Sequence, residues 1–160
     1  IGYFNGRMEF GARALGNRSI IANPCNPKIK KIINQKIKRR ENFRPFAPAI
    51  IKEEKKKWFG NDKTNYYMSS VEAIIQKKQK LIPAVTHIDG TGRVQTVSKE
   101  SNLRFYNIIK KFKKLSGVPI ILNTSFNENE PIVMNYKDAI NCFLRTKMDI
   151  LVLNNMIIKR

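Results

Sequence analysis

The chain has little histidine and little cysteine. His87 is the only histidine among 160 residues, so no zinc site with two histidines can form within this chain. A pair formed by His87 and Asp89 remains a weak metal-binding hypothesis, since a single histidine before a turn is more often structural. The two cysteines, Cys25 and Cys142, are far apart and form no C-x-x-C motif, which suits a reducing compartment and non-reactive thiols.

Long apolar runs and the common nucleotide-binding motifs are also missing. No segment approaches the roughly 18 apolar residues that span a bilayer, and no secretory signal pattern is present, so we expect a cytoplasmic protein without a membrane partner. There is no G-x-G-x-x-G motif. Gly6 and Gly11 have the spacing that begins a phosphate-binding loop, but Ala12 and Arg13 follow where Lys and Ser/Thr are required.

Acidic residues are few. Twelve Asp and Glu face 31 Lys and Arg, which gives a formal net charge of +19. Such an excess favours an anionic partner: nucleic acid, an acidic membrane surface or a phosphorylated small molecule. The lysines could equally reflect a general compositional bias and lie on solvated faces, as we expect for the charged run 52–57. The arginines are fewer and locally clustered, so they carry more information.

The length fits one domain, and strand and helix patterns alternate along it. Apolar residues at helical spacing, short β-rich runs and turn residues predict a mixed, twisted α/β sheet with packed helices. The predicted helices cover about 27–40, 101–115 and 136–145; the predicted strands lie in 46–51 and 118–122; the predicted hairpins lie in 83–97, around Asp89–Gly92, and in 149–159, around Asn154 and Asn155.

Two groups of polar residues are candidates for a binding site. Asn123, Thr124 and Ser125 follow a buried apolar strand, where ligands bind in open α/β sheets, although a simple turn would also use these residues. The second group consists of arginines beside small or polar residues, a residue type suited to bidentate recognition of phosphate or carboxylate. This group comprises Arg13, Arg18, Arg40, Arg44 and Arg93, with Lys38 as an additional point charge. These residues favour a polyanionic small molecule over nucleic acid.

Four segments resemble the carboxyl-terminal domain of the O-carbamoyltransferase family, which includes nodulation-factor and antibiotic carbamoyltransferases. They are GRMEFGARALGNRSIIANP, IKRRENFRPFAPAI, PAVTHIDGTGRVQTV and ILNTSFNENEPIV, in the order of the family and spanning Gly6 to Val133. One departure is Ala12, where many members have proline.

The resemblance implies a single YrdC-like domain over residues 1–160 that binds ATP, with Mg²⁺, and carbamoyl phosphate and forms carbamoyl-adenylate. An amino-terminal domain of the full-length protein, carrying iron or another metal, would transfer the carbamoyl group to a hydroxyl. We expect that domain outside these residues, and we expect no metal site within them.

The resemblance also implies roles for individual residues. It assigns chemical roles to Lys38, Arg44, Arg93 and Ser125, and ligand-binding roles to Arg13, Arg40, Thr91, Asn123, Thr124 and Asn127. His87 is a weaker candidate for the same pocket. Two alternatives stay open: an RNA-binding YrdC-like module, disfavoured by the scarcity of stacking aromatics outside predicted core faces, and a non-catalytic scaffold. The sequence does not indicate the hydroxyl acceptor.

Overall fold

A computed structural model describes all residues from 1 to 160. The strands are β1 (Gly2–Phe4), β2 (Arg18–Ala22), β3 (Ala47–Ile51), β4 (Glu72–Ala73), β5 (Thr91–Gly92), β6 (Gln95–Val97), β7 (Ile120–Ser125), β8 (Ile150–Leu153) and β9 (Met156–Lys159). Seven of them form an open sheet with the order β6-β3-β7-β2-β1-β8-β9, and β4 and β5 form a separate pair.

Five α-helices accompany the sheet: α1 (Ile29–Lys36), α2 (Lys55–Phe59), α3 (Gln76–Gln79), α4 (Lys99–Ser116) and α5 (Tyr136–Arg145). None of them is long and apolar enough to cross a membrane. Within the sheet, β1 pairs with β8 and β3 pairs with β6 in parallel, and the other neighbours are antiparallel. The predicted mixed sheet with packed helices is therefore confirmed.

Local sequence signals explain where the long helices begin and end. Ser98 and Ser101 form a reciprocal capping box at the start of α4, and Gly117 ends that helix with a φ of 76°. Asn135 and Asp138 form the equivalent box for α5, whose predicted bounds are confirmed. The predicted helix over 27–40 is too long, because α1 ends at Lys36.

The sheet separates two apolar layers because successive side chains of a strand face opposite sides. On one side, Ile120 and Leu122 of β7 join the larger cluster, which includes Ile33 of α1. On the other side, Ile121 joins a smaller cluster with Phe105 of α4. The predicted central, buried strand is thereby confirmed as β7, which lies between β3 and β2.

The hairpin predicted in 83–97 is wrong. Residues around Gly90 do form a tight turn, with the Gly90 N–H donating to the His87 carbonyl at 3.0 Å. However, β5 pairs with β4, and β6 pairs in parallel with β3, so no hairpin forms across this turn. The predicted hairpin around Asn154 and Asn155 is confirmed, as β8 and β9 pair there.

The expectation that residues 52–57 form a solvated face is also wrong at one position. Lys55 is fully buried, whereas Lys56 and Lys57 are exposed. Its ammonium donates to Glu72 Oε2 at 2.7 Å, to Asn61 Oδ1 at 2.9 Å and to the Lys63 carbonyl. A run of charged residues indicates that the segment is exposed on average. It does not indicate which single side chain, here that of Lys55, points into the protein.

Candidate anion-binding site

Four of the five arginines singled out from the sequence meet at one cavity of about 420 Å³. Its walls come from four segments that are separate in sequence, and most of its polar groups are basic. The lining residues are Arg13, Arg40, Arg44, Pro45, Phe46, Val71, His87 and Arg93.

A second cavity, of about 610 Å³, shares two of these arginines. It is lined by Arg39, Arg40, Glu41, Arg44, Glu128 and Asn129. Arg40 and Arg44 therefore form the wall between the two cavities, and we call the cavities together the arginine site.

Most of the positive charge in the arginine site is not neutralised by the protein. Arg13, Arg40 and Arg93 have no carboxylate within 4.0 Å, whereas Arg44 pairs with exposed Glu41 at 2.9 Å. Burial lowers the pKa of Arg93, and the neighbouring Arg13 lowers it further. Such mutual repulsion in a partly buried cavity is relieved when an anion binds.

The segment after α1 directs the side chains of Lys38 and Arg40 to different places. Arg39, between them, has a φ of 42°, in the left-handed region that residues other than glycine rarely adopt. Lys38 is almost completely buried, while Arg40 borders both cavities. The guanidinium of Arg40 lies 5.1 Å from the ring centroid of Phe46, and its Nε donates to Asn34 Oδ1 at 2.8 Å.

The ammonium of Lys38 connects this segment to the end of β7. Nζ lies 2.6 Å from the Ser125 carbonyl, 3.2 Å from Ser125 Oγ, 2.8 Å from the Asn127 carbonyl and 2.6 Å from Asn127 Oδ1. All four acceptors are neutral. Burial, and then the charge of Arg40, lower the pKa of Lys38 from 10.5 to about 7.

The other candidate residues at the end of β7 lie differently. Asn123 is fully buried, and its Nδ2 donates to the Ala14 carbonyl at 3.1 Å and to Gln95 Oε1 at 2.7 Å. It therefore does not join Lys38 and Ser125 but supports the loop that carries Arg13. Thr124 is half-buried at the same strand end.

Thr91 lies in the turn beside the arginine site and not among the residues that line it. Its Oγ1 donates to Asp89 Oδ1 at 2.6 Å and lies 3.1 Å from His87 Nδ1. These contacts orient His87, whose pKa is lowered mainly by burial. In this geometry Thr91 supports His87, and its predicted ligand-binding role stays a prediction.

Arg18 is separate from the other arginines. Its guanidinium lies 3.5 Å from the ring centroid of Phe4 and donates to the backbone carbonyls of Asn5, Asn17 and Met134. Sequence reasoning missed Asn34, which is fully buried and bonded to Arg40. A polar residue between Ile33 and Ile37, on the apolar stripe of α1, was the available signal.

The donor set of this chain does not suit a protein-bound metal ion. No three side chains of His, Cys, Asp or Glu lie close enough together to hold one. Mg²⁺ prefers phosphate and carboxylate oxygens in an octahedral arrangement. The arginine site offers mainly guanidinium groups, which bind anions and not metal cations.

Comparison with known proteins identifies the family. The sequence model for the carbamoyltransferase C-terminus matches residues 1–160. The chain belongs to this carbamoyltransferase C-terminus family, which confirms the resemblance seen in the four sequence segments.

Several curated relatives match the whole chain or most of it. All 160 residues of the chain align with the nodulation protein NolNO of Sinorhizobium fredii, with 46% identity. All of the chain also aligns with the nodulation protein NolO of Bradyrhizobium diazoefficiens, with 44% identity. It is 38% identical to the nodulation protein U of Sinorhizobium fredii over 78% of its length. The chain spans only 24%, 30% and 22% of these relatives, respectively.

Proposed function

We propose that this chain is the activation domain of an O-carbamoyltransferase of the cytoplasm. It binds ATP and carbamoyl phosphate in the arginine site and forms carbamoyl-adenylate. Another part of the full-length protein then transfers the carbamoyl group to a hydroxyl acceptor. Family membership supports the reaction class, and the geometry of the arginine site supports the nature of the ligands.

The observation that carries the proposal is the convergence of Arg13, Arg40 and Arg93 without carboxylate partners. A structural arginine is normally paired or bonded to backbone carbonyls, as Arg18 is. Unpaired guanidinium groups in a partly buried cavity are costly unless they bind an anion during function. Phosphoryl-transfer sites need such groups, because their catalysis consists mainly of positioning and charge stabilisation.

The reaction brings several negative groups together. Water cleaves carbamoyl phosphate to carbamate and inorganic phosphate. A carbamate oxygen then forms a bond to the α-phosphorus of ATP, while the bond between that phosphorus and pyrophosphate breaks. Arg40, Arg44 and Arg93 would offset the repulsion between carbamate and triphosphate, and no general base is needed because carbamate is already an anion.

Lys38 has an indirect part in this proposal. Its three protons already have protein acceptors, so it holds Ser125 and Asn127 against the arginine-bearing segment. Binding of a polyanion nearby would favour its charged form over the neutral one. We therefore expect ligand binding to be accompanied by proton uptake near neutral pH.

Arg93→Lys tests the proposal, because lysine keeps the charge but loses the planar fork. The affinity for Mg²⁺-ATP or carbamoyl phosphate should fall by about 1.5–3 kcal/mol, as measured by titration calorimetry. Arg44→Lys is the matched comparison. Its side chain is 53% exposed and already paired with Glu41, so the loss should stay below about 1 kcal/mol.

Two results would contradict the proposal. Wild-type affinity in the Arg93→Lys protein would remove this residue from the site. Steeply salt-dependent RNA binding without any effect of ATP would favour the nucleic-acid alternative, which the net charge of +19 keeps open. Pyrophosphate release from Mg²⁺-ATP and carbamoyl phosphate, measured in parallel, reports the activation step itself.

A further inference from the structure

One buried amide connects the two arginines that the cavities share. Asn34 lies in α1 with no exposed surface, and its Oδ1 accepts a hydrogen bond from Arg40 Nε at 2.8 Å. Its Nδ2 donates to the backbone carbonyls of Asn42 at 3.3 Å and Arg44 at 3.0 Å. All three hydrogen bonds of this side chain are thus made to the segment that carries both arginines.

The backbone of Asn34 adds a further contact. Its carbonyl accepts a hydrogen bond from the Arg40 N–H at 3.0 Å. Arg40 is therefore fixed at its backbone and at Nε by one residue of a packed helix, while its guanidinium lies over Phe46 at 5.1 Å. The terminal Nη1 and Nη2 groups have no acceptor in the protein.

The neutral character of this acceptor matters for an anion site. A carboxylate at position 34 would also accept a hydrogen bond from Arg40 Nε, but it would cancel the charge of Arg40 and could not donate to the Asn42 and Arg44 carbonyls. The chain uses that arrangement nearby, where Glu128 pairs with Arg39 at 3.0 Å and Glu130 pairs with Arg145 at 2.6 Å. An amide instead fixes the direction of the guanidinium and leaves its full charge for a ligand.

We propose that Asn34 is a positioning residue for phosphate recognition. It holds Arg40 through Nε so that the Nη edge of the guanidinium is presented to a phosphate group, and it holds the backbone that carries Arg44. This inference rests on the proposed function of the arginine site, and it assigns to Asn34 an effect that acts through Arg40.

A double-mutant cycle tests this coupling. The proteins are wild type, Asn34→Ala, Arg40→Ala and the double variant, titrated calorimetrically with Mg²⁺-ATP and separately with inorganic pyrophosphate. Asn34→Ala should weaken binding about tenfold or more, the loss expected for one charged hydrogen bond. The double variant should bind no more weakly than Arg40→Ala alone, because Asn34 has nothing to position once the guanidinium is gone.

Asn102→Ala is the control. Asn102 is a half-buried asparagine that bonds to Asn17 and to the Phe105 N–H, and it lines neither cavity of the arginine site. Its removal should lower the melting temperature without changing anion affinity. If Asn34→Ala behaves in the same way, or if the two losses multiply in the double variant, the inference is wrong.

A second variant covers the case in which Asn34→Ala does not fold. Asn34→Asp, titrated after circular dichroism shows that it is folded, keeps an oxygen for Arg40 Nε. It cancels the charge of Arg40 and loses the Nδ2 donor to the Asn42 and Arg44 carbonyls, so pyrophosphate affinity should again fall about tenfold or more. Wild-type affinity in this variant would overturn the inference. A wild-type protein that binds pyrophosphate but neither ATP nor carbamoyl phosphate refutes the proposed function alone, and one that binds none of the three refutes both.

Discussion

Two lysine ammonium groups are buried in this fold, and they are satisfied in different ways. Lys55 has three acceptors, one of which is the carboxylate of Glu72 at 2.7 Å. Lys38 has four acceptors, all neutral, and no carboxylate within 4.0 Å. The first charge is neutralised inside the protein, whereas the second remains uncompensated beside the arginine site.

The difference separates a structural charge from one that serves binding. A buried ion pair is stable as long as both partners are present, and its field largely cancels outside. A buried ammonium group among neutral dipoles is held in place by hydrogen bonds. When it is protonated, its positive charge is not cancelled and can attract an anion in the adjacent cavity. Sequence alone could not make this distinction, because both lysines lie in short basic runs.

The largest expected effect is on stability at Lys55. Lys55→Met leaves Glu72, whose side chain is only 14% exposed, without its partner. Breaking a buried pair in this way should lower the free energy of unfolding by about 3–5 kcal/mol, measured by urea denaturation. The exposed Lys56→Met control should change it by less than about 0.5 kcal/mol. Equal unfolding midpoints would mean that the ion pair is not needed.

The next effect concerns ligand affinity at Lys38. At pH 6, below the lowered pKa of Lys38, Lys38→Met removes the uncompensated charge, so affinity for Mg²⁺-ATP should fall by about 1.5–3 kcal/mol in titration calorimetry. Lys55→Met, assayed under conditions where it is folded, should bind as wild type does. Equal losses in both variants would show that burial, and not the missing carboxylate, determines the effect.

A smaller effect is a pH dependence of stability. The pKa of Lys38 is lowered to about 7 in the folded chain and is about 10.5 when unfolded. Between these values the unfolded state binds the proton and the folded state does not, so this group makes stability rise with pH by about 1.4 kcal/mol per unit. The difference between wild type and Lys38→Met in urea denaturation should rise by about 1.4 kcal/mol between pH 8 and 9. A flat difference would mean that Lys38 keeps its ordinary pKa.

The smallest effect is expected at Ser125. Ser125→Ala removes one of four acceptors for three protons, so the free energy of unfolding should fall by only about 1 kcal/mol. Melting temperatures measured by calorimetry are sufficient to detect it. A loss as large as that of Lys55→Met would show that Oγ is the main partner of the ammonium.

Much of the fold could be predicted from local patterns. The apolar run in β7, the capping residues of α5 and the turn at Asn154 are each decided by neighbours in sequence. The hairpin around Gly90 could not be judged in this way, because turn residues specify a reversal of the chain but not the partner of the following strand. That partner is β3, where Ala49 pairs with Gln95 from 46 residues away, and only the packed sheet determines it.

The arginine site, too, could be predicted only in part from the sequence. The residue type predicted Arg13, Arg40, Arg44 and Arg93, and their convergence follows from the fold. No sequence pattern separates Asn123, which supports a loop, from Ser125 and Asn127, which contact Lys38. The hydrogen-bonding partners of these side chains depend on the face of the sheet to which each one points. They also depend on which distant segment packs against that face.

The pairing of β1 with β8 bears on how quickly this chain folds. Gly2 lies beside Leu151, so a central part of the sheet joins residues from opposite ends of the sequence. Bringing such distant residues together costs chain entropy before any stabilising contact has formed. Domains dominated by such pairings therefore fold slowly, in milliseconds to seconds. Until β8 arrives, one edge of β1 stays open to other strands. Refolding yield should therefore depend on protein concentration more strongly than the equilibrium stability does.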